Sequence, residues 1–299
     1  MITLIAFADT SLRRSVHRFN KQAQNLGFFD NICIYSERDF SNLYKESPFP
    51  SKVDRGYGYW SWKSRIILDT MSNVSCKDII VYVDIGCHFN PKGKNRFEEY
   101  LGLLKFSKTG ILAFQATAPS LSNSPLIHDG RPLPDQSLYI WTKGDVFDFF
   151  GIRDDEKFTK SQIIGAGIIF IQKNEHSMSI IQEWDQLMHS YPWLINDLPS
   201  ISPNFSGFQE HRHDQSLWSI LCLKYSVSTV SAYEYWYPQS FNLSKSDWRV
   251  LAKMPILAKR DLNYGSIVAI ALLFKKIKRR FFKILLCYAE KTKNIYFCN

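Results

Sequence analysis

The chain has 299 residues, 45% of them hydrophobic, with 37 basic and 28 acidic side chains for a formal net charge of +9. That length allows one large domain or two small ones, and the composition excludes a disordered chain. The charge does not mark a nucleic-acid binder: residues 275–299 carry about seven of the net charges, and no helix or ribbon upstream shows a basic stripe.

The six cysteines are scattered, with no CxxC and no Cys/His zinc spacing, which speaks against a disulfide framework or a zinc site. The start, MITLIAFADT, lacks a basic n-region and a full-length apolar core, so it reads as a first strand and not a signal peptide. Both points favour a reducing, cytoplasmic location.

Ile2 to Ala8 is that strand. Leu12, Val16, Phe19, Ala23 and Leu26 follow at steps of four and three, one apolar face of a helix that Gly27 stops. Asn31 to Ser36 is a second strand. A strand–helix–strand opening predicts a mostly parallel α/β sheet flanked by helices.

RGYGYWSW, Arg55 to Trp62, sets two glycines among four aromatics, with Lys63 and Arg65 just beyond. Tyr57, Tyr59 and Trp60 offer faces for a base or sugar, and Arg55 and Lys63 offer charge for phosphates. The competing reading is an aromatic plug in the core. Lys63 to Met71 reads as a helix.

IIVYVDIGCHFN, Ile79 to Asn90, opens on a short apolar run of the kind buried on both faces. It ends in Asp84, Ile85 and Gly86. A carboxylate there is costly unless paired, and the carboxyl end of a parallel strand, where open α/β sheets bind ligands, is where it is tolerated. Gly86 lets the backbone turn or approach a ligand. The alternative is an Asp that caps the turn.

Asn95 to Phe106 reads as a helix and Gly110 to Phe114 as a strand. Ala116 to Tyr139 holds four prolines and is long for a plain connection, as an active-site loop would be. Thr142 with Asp145 has the spacing of a capping box for a helix through Phe150. Ile163 to Ile171 is a second buried strand. Its Gly165, Ala166 and Gly167 leave room for a ligand or for a close-packed helix. Met178, Ile181, Trp184 and Met188 then line a helix face, and Pro192 to Gly207 is a polar loop.

HRHDQS, His211 to Ser216, stands before an apolar helical run from Leu217 to Leu223. His213 suits a metal, a diphosphate or a proton transfer. Asp214 suits a base or a sugar anchor, with Arg212 and Gln215 beside it. Plain helix capping by Asp214 is the competing reading.

RGYGYWSWK at 55–63, VYVDIGCHFN at 81–90, GAGIIFIQKN at 165–174 and RHDQS at 212–216 together resemble the bacterial GT-A type nucleotide-sugar glycosyltransferases of O-antigen, lipooligosaccharide and capsule assembly. The resemblance covers roughly residues 1 to 260. It implies a catalytic domain over 1–263, with a nucleotide-sugar half at about 1–115 and an acceptor half at 116–263. It implies transfer of a hexose (galactose, glucose or an N-acetylhexosamine) from a nucleotide-sugar, UDP-linked for preference, to a hydroxyl of a lipid-linked oligosaccharide. Asp84 falls at the first Asp of the DxD motif, and Gly86 replaces the second. Two ways of neutralising the diphosphate follow: a divalent metal (Mn or Mg) on Asp84 with His213 or Asp214, or Lys63 and Arg55 without metal. The departure at Gly86 also leaves room for a catalytically degenerate relative that serves as a membrane-docked assembly partner. Neither GxxxxGK[ST] nor GxGxxG occurs.

Residues 264–299 form a tail. Ser266 to Phe274 is apolar, KKIKRR follows, then FFKILLCYA. Neither apolar piece reaches the ~20 residues that span a bilayer. Their interleaving with basic residues suits a helix lying on an anionic membrane surface, peripheral on the inner face of the plasma membrane.

Overall fold

The chain's most apolar runs become the middle of one sheet. The computed structural model describes residues 1–44, 50–117, 135–236 and 253–259. Its strands are β1 (Ile2–Phe7), β2 (Asn31–Tyr35), β3 (Ile79–Val83), β4 (His88–Phe89), β5 (Ile111–Gln115), β6 (Ile164–Gln172), β7 (Ser228–Ser231) and β8 (Ile256–Leu257). Six of them form the central sheet in the order β2-β1-β3-β6-β5-β7, and β4 pairs with β8 in a separate ribbon. β1 runs parallel to β2 and β3, and β5 parallel to β7, while β6 is antiparallel to both of its neighbours. The sheet is therefore mostly parallel, with β6 inserted the other way between β3 and β5.

The longer helices are α1 (Arg13–Leu26), α2 (Trp62–Asn73), α3 (Lys94–Lys105), α4 (Gly144–Phe150), α5 (Glu175–Ser190) and α6 (Asp214–Lys224). Side chains alternate across a strand, so β3 feeds both faces of the sheet. Ile80 and Tyr82 share a core with Ile66 and Ile67 of α2, Trp184 of α5 and Trp218 of α6. Val81 and Val83 join Phe19 and Leu26 of α1 and Phe97 and Leu104 of α3 on the other face. A strand covered on both sides has no polar face to present, which is why β3 reads as continuous apolar sequence.

Local signals explain several boundaries. Gly27 closes α1 in the left-handed region, at φ 77°, and its N–H bonds to the Ala23 carbonyl. α5 opens on a capping box between Asn174 and Ser177. The capping box read at Thr142 and Asp145 does not form. Lys143 is the N-cap of α4 and makes no side-chain cap bond. Thr142 instead donates to Ser216 at 3.0 Å, and Asp145 accepts from the backbone N–H groups of Ile201 and Ser202. The loop at 200–202 claims Asp145 from both sides, since the Ser200 hydroxyl also accepts from the Asp145 N–H.

The register between β5 and β6 shifts between Leu112 and Phe114: Leu112 faces Phe170, but Phe114 faces Gly165. β6 thus carries extra residues opposite β5, a bulge that takes in Ala166 and Gly167. Bulges re-aim backbone near sites, and this one sets Gly167 against the end of β3.

Most of the long loop read at Ala116 to Tyr139 and the whole tail at 264–299 lie outside the described residues. Among the described residues no helix is long and apolar enough to cross a membrane. Cys33, Cys76 and Cys222 are free thiols.

Candidate functional site

Asp84 follows β3 directly. Its N–H donates to the Gly167 carbonyl at 2.8 Å, which continues the β3–β6 ladder by one step. The Tyr82 hydroxyl donates to Asp84 Oδ1 at 2.7 Å. A Cβ on residue 167 would stand 2.8 Å from Asp84 Oδ2, so the carboxylate leans into space that only glycine leaves open. The Asp84 side chain remains 46% exposed. It is a fixed carboxylate at the carboxyl edge of the sheet, open to a ligand.

The turn beyond it is held from α1. Arg18 donates to the Ile85 carbonyl at 2.6 Å and to the Cys87 carbonyl at 2.7 Å. Gln22, one helical turn on, accepts from the Phe89 N–H at 3.1 Å. Gly86 is partly exposed between these anchors.

Lys63 lies beneath. Its ammonium donates to Asp214 Oδ2 at 2.6 Å, stands 4.0 Å from Asp84 Oδ1, and sits 5.3 Å over the Tyr82 ring. Lys63 and Asp214 side chains are 4% and 6% exposed. One ammonium thus serves two carboxylates from opposite ends of the chain. Burial raises the Asp214 carboxyl from 3.8 to about 6; Lys63 pulls it down and Asp84 pushes it further up. The role read for Lys63 changes accordingly, since its charge is presented to Asp214 rather than to solvent.

Two loops meet above this pair. Gly56 to Trp60 are five successive residues with φ between 55° and 81°, a left-handed turn in which Tyr57, Tyr59 and Trp60 are not glycine. Each non-glycine residue there costs about 1–2 kcal/mol. Packing offsets it: Trp62 stacks on Phe7 at 4.1 Å and donates from Nε1 to the Gly56 carbonyl. A side chain at Gly56 would collide with the Trp60 ring. Tyr57 packs edge-on against Phe7 and Phe40 and lies partly buried against the core. Tyr59 and Trp60 lie 5.2 and 5.5 Å from the His213 ring.

The second loop leads into α6. His213 has φ 49° and ψ −121°, an uncommon conformation for a residue with a side chain. Its Nδ1–H donates to the Ile195 carbonyl at 2.7 Å, and Nε2 faces Asp197 at 3.5 Å. Burial holds its pKa below the ordinary value despite these two partners. His211 is also buried, and burial pushes its pKa down to about 3, so it is a neutral ring that donates to the Leu194 carbonyl. Glu210 joins the loops: it pairs with Arg55 and stands 3.7 Å from Arg212, whose guanidinium lies 4.2 Å over Trp141.

The predicted residues therefore gather in three groups. Asp84, Lys63, Asp214 and Gly167 meet at the end of β3; Tyr59 and Trp60 meet His213; Arg55 meets Arg212 through Glu210. Ala166 is buried, Gln215 is partly exposed, and Gly165 leaves room for the Tyr235 hydroxyl. Both glycines of the GAG run thus make space for the chain's own side chains. Tyr82, Arg18 and Glu210 carry no sequence signal that would single them out.

A divalent cation caged by protein wants six or more oxygens. Asp214 Oδ2 accepts from Lys63 and His213 Nδ1–H donates to the Ile195 carbonyl, while the buried His213 Nε2 makes no hydrogen bond and stands 3.5 Å from Asp197. Among the described residues no group of three or more His, Cys, Asp or Glu is placed to hold a metal ion.

No protein-family model matches the chain, and no curated protein does. Solved structures similar to it include a glycosyltransferase involved in glycosylation of the major capsid of PBCV-1, at 11% identity over 88% of this chain and 94% of that one, TM-score 0.44. Mouse xyloside xylosyltransferase 1 gives 8% over 88% and 96%, TM-score 0.42. The galactosyltransferase LgtC, solved with donor and acceptor sugar analogues, gives 12% over 86% of each chain, TM-score 0.42.

The raised Asp214 carboxyl has a measurable consequence. Between 3.8 and about 6 the folded state binds its proton and the unfolded state releases it. That stabilisation is whole below the lower value and lost as pH rises through the upper one. Asp214→Asn removes the slope. The unfolding free energy of the variant minus that of the wild type, from urea titrations, should rise from about pH 4 to about pH 6 by an amount on the order of 3 kcal/mol. A flat or falling difference would contradict it.

Proposed function

We propose that the chain is a glycosyltransferase that moves a hexose from a nucleotide-sugar, UDP-linked for preference, to a hydroxyl of a lipid-linked surface glycan. The observation that carries this reading is Asp84: an exposed carboxylate at the carboxyl end of a central parallel strand, where open α/β sheets take their ligands. The loops next in sequence to its partner Lys63 and to Asp214 carry the Tyr59–Trp60–His213 group and the two guanidinium groups on Glu210. Aromatic faces suit a base or a pyranose ring, and guanidinium groups suit the oxygens of a diphosphate.

The reaction is displacement at the anomeric carbon. The bond from that carbon to the diphosphate oxygen breaks, the bond to the acceptor oxygen forms, and the acceptor proton is released to water. Charge develops on the departing diphosphate, and fixed cations aimed there lower the barrier. In this reading Arg55 and Arg212 meet that charge, Asp84 touches the donor, and the buried Asp214–Lys63 pair sets the electrostatic field under Asp84. Asp214 is then a supporting group and not the base that meets the acceptor.

The lipid-linked acceptor rests on the tail, whose alternating apolar and basic stretches over 266–286 suit an anionic membrane surface. Each basic residue near such a surface adds about 1 kcal/mol. Deleting residues 264–299 should abolish salt-sensitive co-sedimentation with anionic vesicles. Equal sedimentation of both forms would remove the membrane part of the proposal.

The transferase reading is tested by incubating purified protein with UDP-, GDP- and CMP-sugars, with and without manganese, and measuring nucleotide release. One donor class should be turned over, and Asp84→Asn should lower that rate by about a hundredfold or more while leaving the unfolding transition in place. A folded Asp84→Asn protein with full activity, or no turnover of any donor, would contradict it.

A further inference from the structure

We propose that Tyr82 is a positioning residue whose buried hydroxyl, together with the notch at Gly167, fixes the Asp84 carboxylate in the orientation that meets the donor. The inference deepens the transferase reading and rests on it for the word donor, though not for the geometry.

Tyr82 and Asp84 are two residues apart at the end of β3, so they share one face of the sheet. Tyr82 is wholly buried among Ile5, Phe7, Ile66 and Ile80. A ring at that position is explained by packing. A phenol is not, because phenylalanine fills the same volume without a polar group to satisfy. The hydroxyl donates to Asp84 Oδ1 at 2.7 Å. That oxygen also stands 4.0 Å from the Lys63 ammonium, which itself lies over the Tyr82 ring.

The opposite oxygen is placed by exclusion. Oδ2 lies 2.8 Å from where a Cβ on residue 167 would be, closer than real Cβ contacts allow. Gly167 does not have positive φ, so glycine is not required there by its backbone. It is required by the carboxylate. Tyr82 draws one oxygen down and Gly167 makes room for the other. An exposed carboxylate on an ordinary surface would rotate freely; this one is held from two sides.

Tyr82→Phe removes only the hydroxyl and Gly167→Ala adds only a methyl, so the fold should persist, as an unchanged circular dichroism spectrum and cooperative unfolding would show. Crystal structures of the two variants should show the Asp84 side chain in a different rotamer. With the nucleotide-sugar that the wild type turns over, each variant should lose about tenfold in kcat with less than about a threefold change in donor KM. In an Asp84→Ala background, adding Tyr82→Phe should change the residual rate by less than about twofold, because the two groups act as one. A merely structural tyrosine would lower stability alike in both backgrounds and leave kcat alone. An unmoved Asp84 in both variant structures would overturn the inference whatever the activity. Full kcat in Tyr82→Phe, beside a loss in Asp84→Ala, would overturn it while leaving the transferase reading intact. Full activity in Asp84→Ala would instead remove the transferase role of Asp84.

Discussion

The buried ammonium of Lys63 is the constraint on which the site depends. It joins the start of α2 to the start of α6 across 151 residues of sequence, at 2.6 Å from Asp214. Two charges in the interior gain little net stability, but removing one strands the other at a cost of about 3–5 kcal/mol. The pair therefore acts less as glue than as a register mark. The two helix starts come together in the arrangement that lets the charges meet, and Asp84 at the end of β3 shares the same ammonium. Trp184 of α5 adds a bond to the Asp214 carbonyl, so the helical layer on that face is tied to one point.

The loop above the pair is unfavourable in itself. Five residues in the left-handed region, three of them with side chains, store strain that the Trp62–Phe7 stack and the Trp62 bond to Gly56 must offset. Backbone strain of this kind persists where the surroundings over-determine it, and it clusters at ligand sites. His213, strained on the facing loop, meets the rings of this turn. Two uncommon conformations are in contact here, next in sequence to the buried Lys63–Asp214 pair.

Much of this was legible in the sequence. Continuous apolar runs marked β1, β3 and β6, because strands covered on both faces have no polar side to show. The same logic placed Asp84 at an edge, since a carboxylate in line with such a run has to emerge somewhere. RGYGYW and RHDQ stood out by composition, and the fold brings them into contact. The direction of β6 was not legible: a fully buried strand reads the same whichever way it runs. The environment of Lys63 was hidden for a different reason. A lysine among aromatics resembles a ligand contact, and only the fold shows that its partner lies beyond residue 200. Tyr82 was invisible because in sequence a buried tyrosine differs from a buried phenylalanine by one oxygen whose partner is a matter of geometry. The glycines of GAG read as room for a ligand or a close-packed helix, whereas the side chains that meet them are Tyr235 and Asp84. Thr142 and Asp145 had the spacing of a cap, and tertiary partners claimed both.

The transferase reading requires a nucleoside diphosphate against Asp84. The most direct measurement is a crystal structure of the full chain soaked with UDP, which carries the leaving group of the preferred donor class. The diphosphate should lie at the carboxyl edge of β3, on the exposed side of Asp84, with the Arg55 and Arg212 guanidinium groups turned towards its oxygens. A diphosphate bound elsewhere on the chain, with Asp84 open to solvent, would contradict it.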